Sequence, residues 1–175
     1  LLNCGEKELK DLRWKEIAVV FQKSMNSLSQ IHKIGTQFED IYRVHHPKAR
    51  KQEMNEAICN LLEIVNLGPH VYQMYPFELS GGMQQRLNIA LSLMFHPSLL
   101  IMDEATTALD VITQGQIMDE ISEIEKRFSI TRIMITHDLS VVASSCERIL
   151  VIYAGRLVEY GKKEEILRKP LHPYT

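Results

Sequence analysis

Apolar residues recur along this chain in two rhythms, and the change between them divides it. Ile17-Ala18-Val19-Val20-Phe21 is a short β-like run with Gln22 at its end, and the polar stretch that follows, with Asn26, Ser27 and Ser29, reads as a loop. A weaker helical pattern lies between Ile31 and Tyr42. From about Lys48 to Asn66, the residues Met54, Ile58, Leu61, Leu62 and Val65 recur at helical spacing, and Gly68 with Pro69 stops the helix. A further helix is expected from Ser80 to about Phe95.

After Pro97 the rhythm changes. Short apolar runs, Leu99 to Met102, Arg132 to Thr136 and Arg148 to Tyr153, alternate with helices, which is the pattern of a parallel α/β sheet. The helix from about Thr113 to Arg127 should bury a stripe of Ile117, Ile121, Ile124 and Phe128, and another helix covers roughly Leu139 to Cys146. Gly155 marks a turn between Val151-Ile152-Tyr153 and Leu157-Val158-Glu159, which predicts a terminal hairpin. There are no internal repeats or low-complexity segments.

Composition narrows the classes of function. With 175 residues and 45% hydrophobic content the chain can bury one sizeable core. A net charge of -2 gives no reason to expect nucleic acid as a partner. Cys4, Cys59 and Cys146 are odd in number and widely separated, so they suggest neither a disulfide framework nor a zinc site and read as reduced and structural. No apolar run approaches the roughly 20 residues that span a bilayer, so membrane association is expected only through a partner.

Candidate chemistry is concentrated in two segments. Leu79-Ser80-Gly81-Gly82-Met83-Gln84-Gln85-Arg86 puts a serine and two glycines at a helix start, where free backbone N–H groups and the positive end of the helix dipole can meet a phosphate. Leu99-Leu100-Ile101-Met102-Asp103-Glu104 delivers two adjacent carboxylates from an apolar strand, suited to a metal ion and a water. The strand is too apolar to be expected at the surface. His137 directly follows Ile133-Met134-Ile135-Thr136, at the carboxyl end where α/β sheets place ligands. Together these imply nucleotide hydrolysis. Asp110 also reads as the N-cap of the helix after it.

Five segments in order resemble the motifs of ATP-binding cassette (ABC) ATPases. Val20-Phe21-Gln22 is similar to the Q-loop, Leu79 to Gln85 to the signature motif, Leu99 to Glu104 to the Walker B strand, Ala108-Leu109-Asp110 to the D-loop, and Ile135-Thr136-His137-Asp138 to the switch histidine. The resemblance runs from about Ile17 to the end of the chain. It implies an α/β fold: part of a P-loop NTPase, with a RecA-like parallel sheet core and an inserted α-helical subdomain. The implied organisation is residues 1–22 as the end of the first part of the core with the Q-loop, 23–96 as the helical subdomain with the signature motif, and 97–175 as the rest of the catalytic core.

The same resemblance implies roles. Ser80, Gly81, Gly82, Met83 and Gln84 would bind the γ-phosphate of ATP held by an opposite subunit, and Asp110 would meet that subunit. Asp103 would act on Mg²⁺, Glu104 would be the general base, and His137 would hold the γ-phosphate and water in geometry. Gln22 would sense Mg²⁺ and water, and the loop after it would face a transmembrane partner. ATP and Mg²⁺ are the implied cofactors. The implied partners are a second ABC ATPase subunit, membrane permease subunits and, indirectly, a substrate-binding protein. The implied location is the cytoplasmic face of the membrane, peripherally bound.

Two departures qualify this. Ala105 stands where many relatives have proline, which leaves the turn after Glu104 less constrained. None of the eight glycines begins the phosphate-cradling pattern G-x-x-x-x-G-K-[ST], and no aromatic residue for stacking on adenine is identified. The expectation is a chain whose upstream part is absent and which by itself binds ATP poorly. Glu104 to Asp110, Met25-Asn26-Ser27-Leu28 and the closing Lys169-Pro170-Leu171-His172-Pro173-Tyr174-Thr175 resemble the oligopeptide, dipeptide and nickel import branch. A non-catalytic cassette that pairs with a complete one, and a soluble non-transport ABC ATPase, are the alternatives left open by the residues.

Overall fold

The first strand, β1 (Ile17–Val20), lies parallel to β2 (Leu99–Asp103), and β2 lies parallel to β3 (Thr131–Ile135), so the three strands form one sheet in chain order. The computed structural model describes residues 4–21, 28–106 and 110–175, in two compact units, residues 1–135 and 136–175. Short helix α1 (Glu6–Leu12) precedes β1 in the first unit.

Between β1 and β2 the chain is helical. It forms α2 (Ile34–His45), α3 (Lys51–Ile64), two 3-10 turns (Pro69–Gln73 and Pro76–Glu78) and α4 (Gly81–Leu93). The spacing expected for α3 is what the structure buries: Met54, Ile58, Leu61, Leu62 and the following Val65 are all in the core. Helix α4 is buried on nearly every side, with Gln85, Asn88 and Ser92 among its buried residues. The amide of Asn88 and the hydroxyl of Ser92 donate to carbonyls of their own helix, at Gln84 (3.0 Å) and Ile89 (2.7 Å), which satisfies these groups without interrupting the apolar packing.

After β2, α5 (Val111–Phe128) returns the chain to β3. Its buried stripe is Ile117, Met118, Ile121 and Ile124, whereas Phe128, expected on the same stripe, is only half-buried and lies against the His96 ring, with centroids 4.3 Å apart. Period-two alternation sends Ala18, Val20, Leu100 and Met102 to one face of the sheet, where all four are buried. The opposite face is more open than the apolar content predicts: Leu99, Ile101 and Asp103 are half-buried, and Ile133 and Ile135 are 49% and 51% exposed.

The second unit contains α6 (Leu139–Ser145), β4 (Arg148–Tyr153), β5 (Arg156–Lys162) and α7 (Lys163–Arg168). The hairpin turns at Ala154 and Gly155, both with positive φ, the conformation that a tight turn between twisted strands requires. The hairpin around Gly155 is the one expected. One expectation is corrected: its first strand, Arg148 to Tyr153, pairs antiparallel with β5 and does not join the parallel set, because an apolar run by itself does not specify its partner.

Two local devices are testable. At Gly35, on α2, a Cβ would lie 2.5 Å from Cε1 of Tyr72. The Tyr72 hydroxyl donates to the buried Glu39 carboxylate, which also takes a 3.0 Å contact from Arg43, and burial followed by that bond pushes the phenol's pKa up. The missing side chain at Gly35 thus lets the 3-10 segment press onto α2. Gly35→Ala should lower stability by about 1–2 kcal/mol, because displacing the ring outweighs alanine's helix advantage. A lower urea midpoint at unchanged slope would show it; an unchanged or higher midpoint would contradict it.

Glu159 accepts the backbone N–H groups of Leu171 (2.8 Å) and His172 (3.1 Å), and the Leu171 bond is the leading cause of its depressed pKa. A depressed carboxylate contributes fully above its ordinary value of about 4.3 and loses its contribution as pH falls through the folded value. Protection of the Leu171 and His172 amides from hydrogen exchange should therefore hold at neutral pH and fall on acidification below that range. Glu159→Gln should flatten this pH dependence, and an unaltered profile in that variant would exclude Glu159 as its origin.

Candidate functional site

Helix α4 begins at an open end. Ser80 takes extended backbone geometry and its Oγ accepts from the Met83 N–H at 3.3 Å, so the serine caps the helix. Ser80 and Gly81 are exposed, and Gly82 and Met83 half-buried. The Gln84 amide turns backward and donates to the carbonyls of Pro76 (2.9 Å) and Leu79 (3.3 Å), holding the preceding turn. Of the five residues predicted for phosphate contact, Ser80, Gly81, Gly82 and Met83 line a cleft of about 640 Å³, and Gln84 braces them from behind.

Asp110 lines the same cleft. Its Oδ1 accepts from the Thr113 N–H (3.0 Å) and its Oδ2 from the Thr113 hydroxyl (2.7 Å), so it is the N-cap of α5, as its position before an amphipathic helix suggested. These bonds, led by the backbone one, lower its pKa and keep it a carboxylate. The next two residues, Val111 and Ile112, are 84% and 75% exposed, a pair of large apolar side chains beside a charged turn.

Asp103 ends β2 opposite Ile135, and Glu104 extends the ladder by donating its N–H to the Ile135 carbonyl at 2.9 Å. Glu104 then takes φ of 49°, in the left-handed region that a non-glycine residue enters at a cost of about 1–3 kcal/mol. The strain is held from both sides: the β ladder fixes what precedes Glu104, and Ala105 and Thr106 are buried after it, with Gln114 of α5 donating to the Thr106 hydroxyl at 3.0 Å. Ala105, which stands in place of a proline, is thus fixed by burial. The kink turns Glu104 out of the strand's alternation, next to Asp103.

Asp103 offers hard carboxylate oxygens of the kind Mg²⁺ uses in combination with substrate phosphates. No group of three or more His, Cys, Asp or Glu that could hold a metal ion occurs among the described residues. His137 belongs to the second unit, where it is exposed between Thr136 and Asp138. The Asp138 N–H donates to the Thr136 hydroxyl (3.0 Å) and Asp138 caps α6 through the Ser140 N–H (2.8 Å), which fixes the backbone on both sides of the histidine. Gln22, Met25, Asn26 and Ser27, with Ala108 and Leu109, lie outside the described residues. Residues that line the cleft without having been singled out include Asn66, His70, Arg86 and Thr113. Only Arg86 had a local signal, one helical turn beyond Gly82.

A family model described as ABC transporter matches residues 3–107. The chain is 43% identical, over its whole length, to the oligopeptide transport ATP-binding protein OppD of Salmonella typhimurium, of which it covers 52%. It is 44% identical, again over its whole length, to the dipeptide transport ATP-binding protein DppD of Caldanaerobacter subterraneus subsp. tengcongensis, of which it covers 54%. It thus spans about half the length of these curated relatives. Among solved structures, an ATP-binding cassette described as dimeric, in a post-hydrolysis state with ADP and Pi, aligns with a TM-score of 0.79 at 26% identity over 92% of this chain and 68% of that one. CbiO1 from Clostridium perfringens, described as part of the ABC transporter complex cbiONQ, aligns with a TM-score of 0.79 at 27% identity, over 94% of this chain and 64% of that one. The parallel sheet with its helical insertion is therefore part of a P-loop NTPase core of the cassette type, and the chain belongs to the ABC transporter family.

Proposed function

We propose that this chain supplies the signature, Walker B and switch-histidine parts of an ATP-hydrolysing subunit that energises import of oligopeptides or dipeptides, or of nickel. The observation that carries the reading is the strained Glu104 beside Asp103 at the end of β2, in a chain whose Ser80-Gly81-Gly82 turn opens into a cleft. The first part provides an acid pair at a strand end and the second a set of backbone donors for phosphate, and a hydrolase acting on a phosphoanhydride uses both. The names of the OppD and DppD relatives support the peptide branch.

In this reading Asp103 would hold Mg²⁺, which would supply charge neutralisation to the phosphates of ATP. Glu104 accepts a proton from the attacking water, its carboxylate aimed by the left-handed backbone. His137 orients that water and the γ-phosphate, and Gln22 monitors the metal and water. The Ser80 to Met83 surface, with the backbone N–H groups of Gly81 and Gly82, faces the γ-phosphate held by a second cassette subunit, and Asp110 with exposed Val111 and Ile112 faces that subunit. The ADP-bound cassette of similar fold is dimeric, which favours a site completed between two subunits.

No helix among the described residues is long and apolar enough to cross a membrane. We place the subunit at the cytoplasmic face of the membrane, on permease subunits served by an external substrate-binding protein. The chain has no Gly-rich loop of the Walker A form. Residues 1–175 alone should accordingly bind ATP weakly and turn it over poorly.

In the protein made from its whole reading frame, Glu104→Gln should lower steady-state ATP hydrolysis by about 10²-fold or more, the range expected for loss of a general base, while an ATP-bound dimer accumulates. Phosphate release and size-exclusion chromatography with ATP and Mg²⁺ check both. Hydrolysis at the parent rate would remove Glu104 as the base.

A further inference from the structure

The cleft's two active edges, the signature turn and the Asp110 turn, are joined within one chain by contacts that neither motif assigns. Near the open end, Gly82 faces Thr113: a Cβ at Gly82 would lie 3.2 Å from Thr113 Cγ2, while the other branch of that threonine, its hydroxyl, donates to Asp110 at 2.7 Å. One β-branched side chain therefore turns its methyl to the space beside the signature glycine and bonds the Asp110 carboxylate with its hydroxyl. One turn further along α4, Arg86 pairs with Glu120 of α5 at 3.1 Å, with only 16% and 18% of their side chains exposed. Arg86 also donates to the Val65 carbonyl (3.4 Å), and the Asn66 amide donates to Glu120 (2.8 Å), which draws the end of α3 into the same junction.

An ion pair this sheltered is screened less than a surface pair, and its partners share hydrogen bonds with a third element, so its geometry is over-determined. Two separated contacts between α4 and α5 fix both the distance between the helices and their rotation. A single contact would leave a hinge.

We propose that Thr113 and the Arg86–Glu120 pair are positioning residues that lock the signature turn to the Asp110 turn, so that the phosphate-facing and partner-facing edges of this subunit move as one body. The role rests on the reading above, in which those edges meet the second subunit and its ATP. A nucleotide that engages Ser80 to Met83 then sets Asp110 in the same movement, and a change at Asp110 is felt at the phosphate.

Two readouts test this in the protein made from its whole reading frame. The first is hydrogen exchange, which requires no nucleotide. Segments 80–84 and 110–113 should open together in the parent. In Thr113→Val, which keeps the methyl contact and removes the hydroxyl, and in Arg86→Glu, segment 80–84 should exchange at least about tenfold faster, a loss of ~1.4 kcal/mol in coupling. The second uses the Glu104→Gln background and measures the ATP concentration that half-assembles the dimer. Arg86→Glu should raise it at least tenfold, the doubly reversed Arg86→Glu/Glu120→Arg should restore it, and binding of a fluorescent ATP analogue to separated subunits should stay unchanged.

Unaltered exchange of segment 80–84 in both variants would overturn the proposal, as would failure of the double reversal to restore what the single one loses. If exchange behaves as expected but ATP never assembles the Glu104→Gln protein, the coupling stands and the nucleotide-dimer reading falls.

Discussion

Helix α4 is buried along almost its whole body and open at its amino end, and the function proposed for this chain depends on that contrast. A helix whose side chains are fixed by core packing presents its first N–H groups in a rigid geometry, so donors aimed at a phosphate need no reorganisation when one arrives. The sheet face of Ala18, Val20, Leu100 and Met102 and the stripes of α3 and α5 fill the core around it. Ser92 and Asn88 spend their polar groups on α4 itself, and Gln84 holds the turn from behind, which leaves the Ser80-Gly81-Gly82 turn as the end that faces the cleft.

The acid pair follows the same logic at the end of a strand. Pairing of Asp103 with Ile135 and the Glu104 N–H bond to the same residue carry the parallel ladder to its last rung, after which the chain must leave the sheet. It does so through a left-handed glutamate, followed directly by buried Ala105 and Thr106, with Gln114 donating to the Thr106 hydroxyl. Burial thus sets the direction of an ionisable group that is itself only half-buried.

The elements built on strong periodicity were legible in the sequence. The stripe of α3 and the runs that became β1, β2 and β3 were each visible from apolar spacing, as was the helix starting at Ser80. What escaped has common causes. Helices α1 and α7 are too short to establish a period, and the 3-10 turns have none that a helical template detects. The hairpin of Arg148 to Tyr153 with β5 was legible from the Gly155 turn, whereas grouping that run with the parallel strands was not sustained, because an apolar run alone does not specify its partner. At the candidate site, Ser80, Gly82 and Asp103 stand out in the sequence through residue type and position. Thr113 and Glu120 do not, because their importance lies in facing Gly82 and Arg86 from another helix, a relation that arises only when α4 and α5 pack.

The central claim is that the phosphate-binding turn of this subunit serves a nucleotide held by another. It is tested most directly with ATP carrying a photoreactive group on its γ-phosphate, added with Mg²⁺ to the protein made from its whole reading frame, with mass spectrometry locating the crosslinks. The account predicts labels at residues 80–84, lost on dilution that separates the subunits. Labelling of residues 80–84 that persists undiminished in separated subunits, or none there at any concentration, would contradict it.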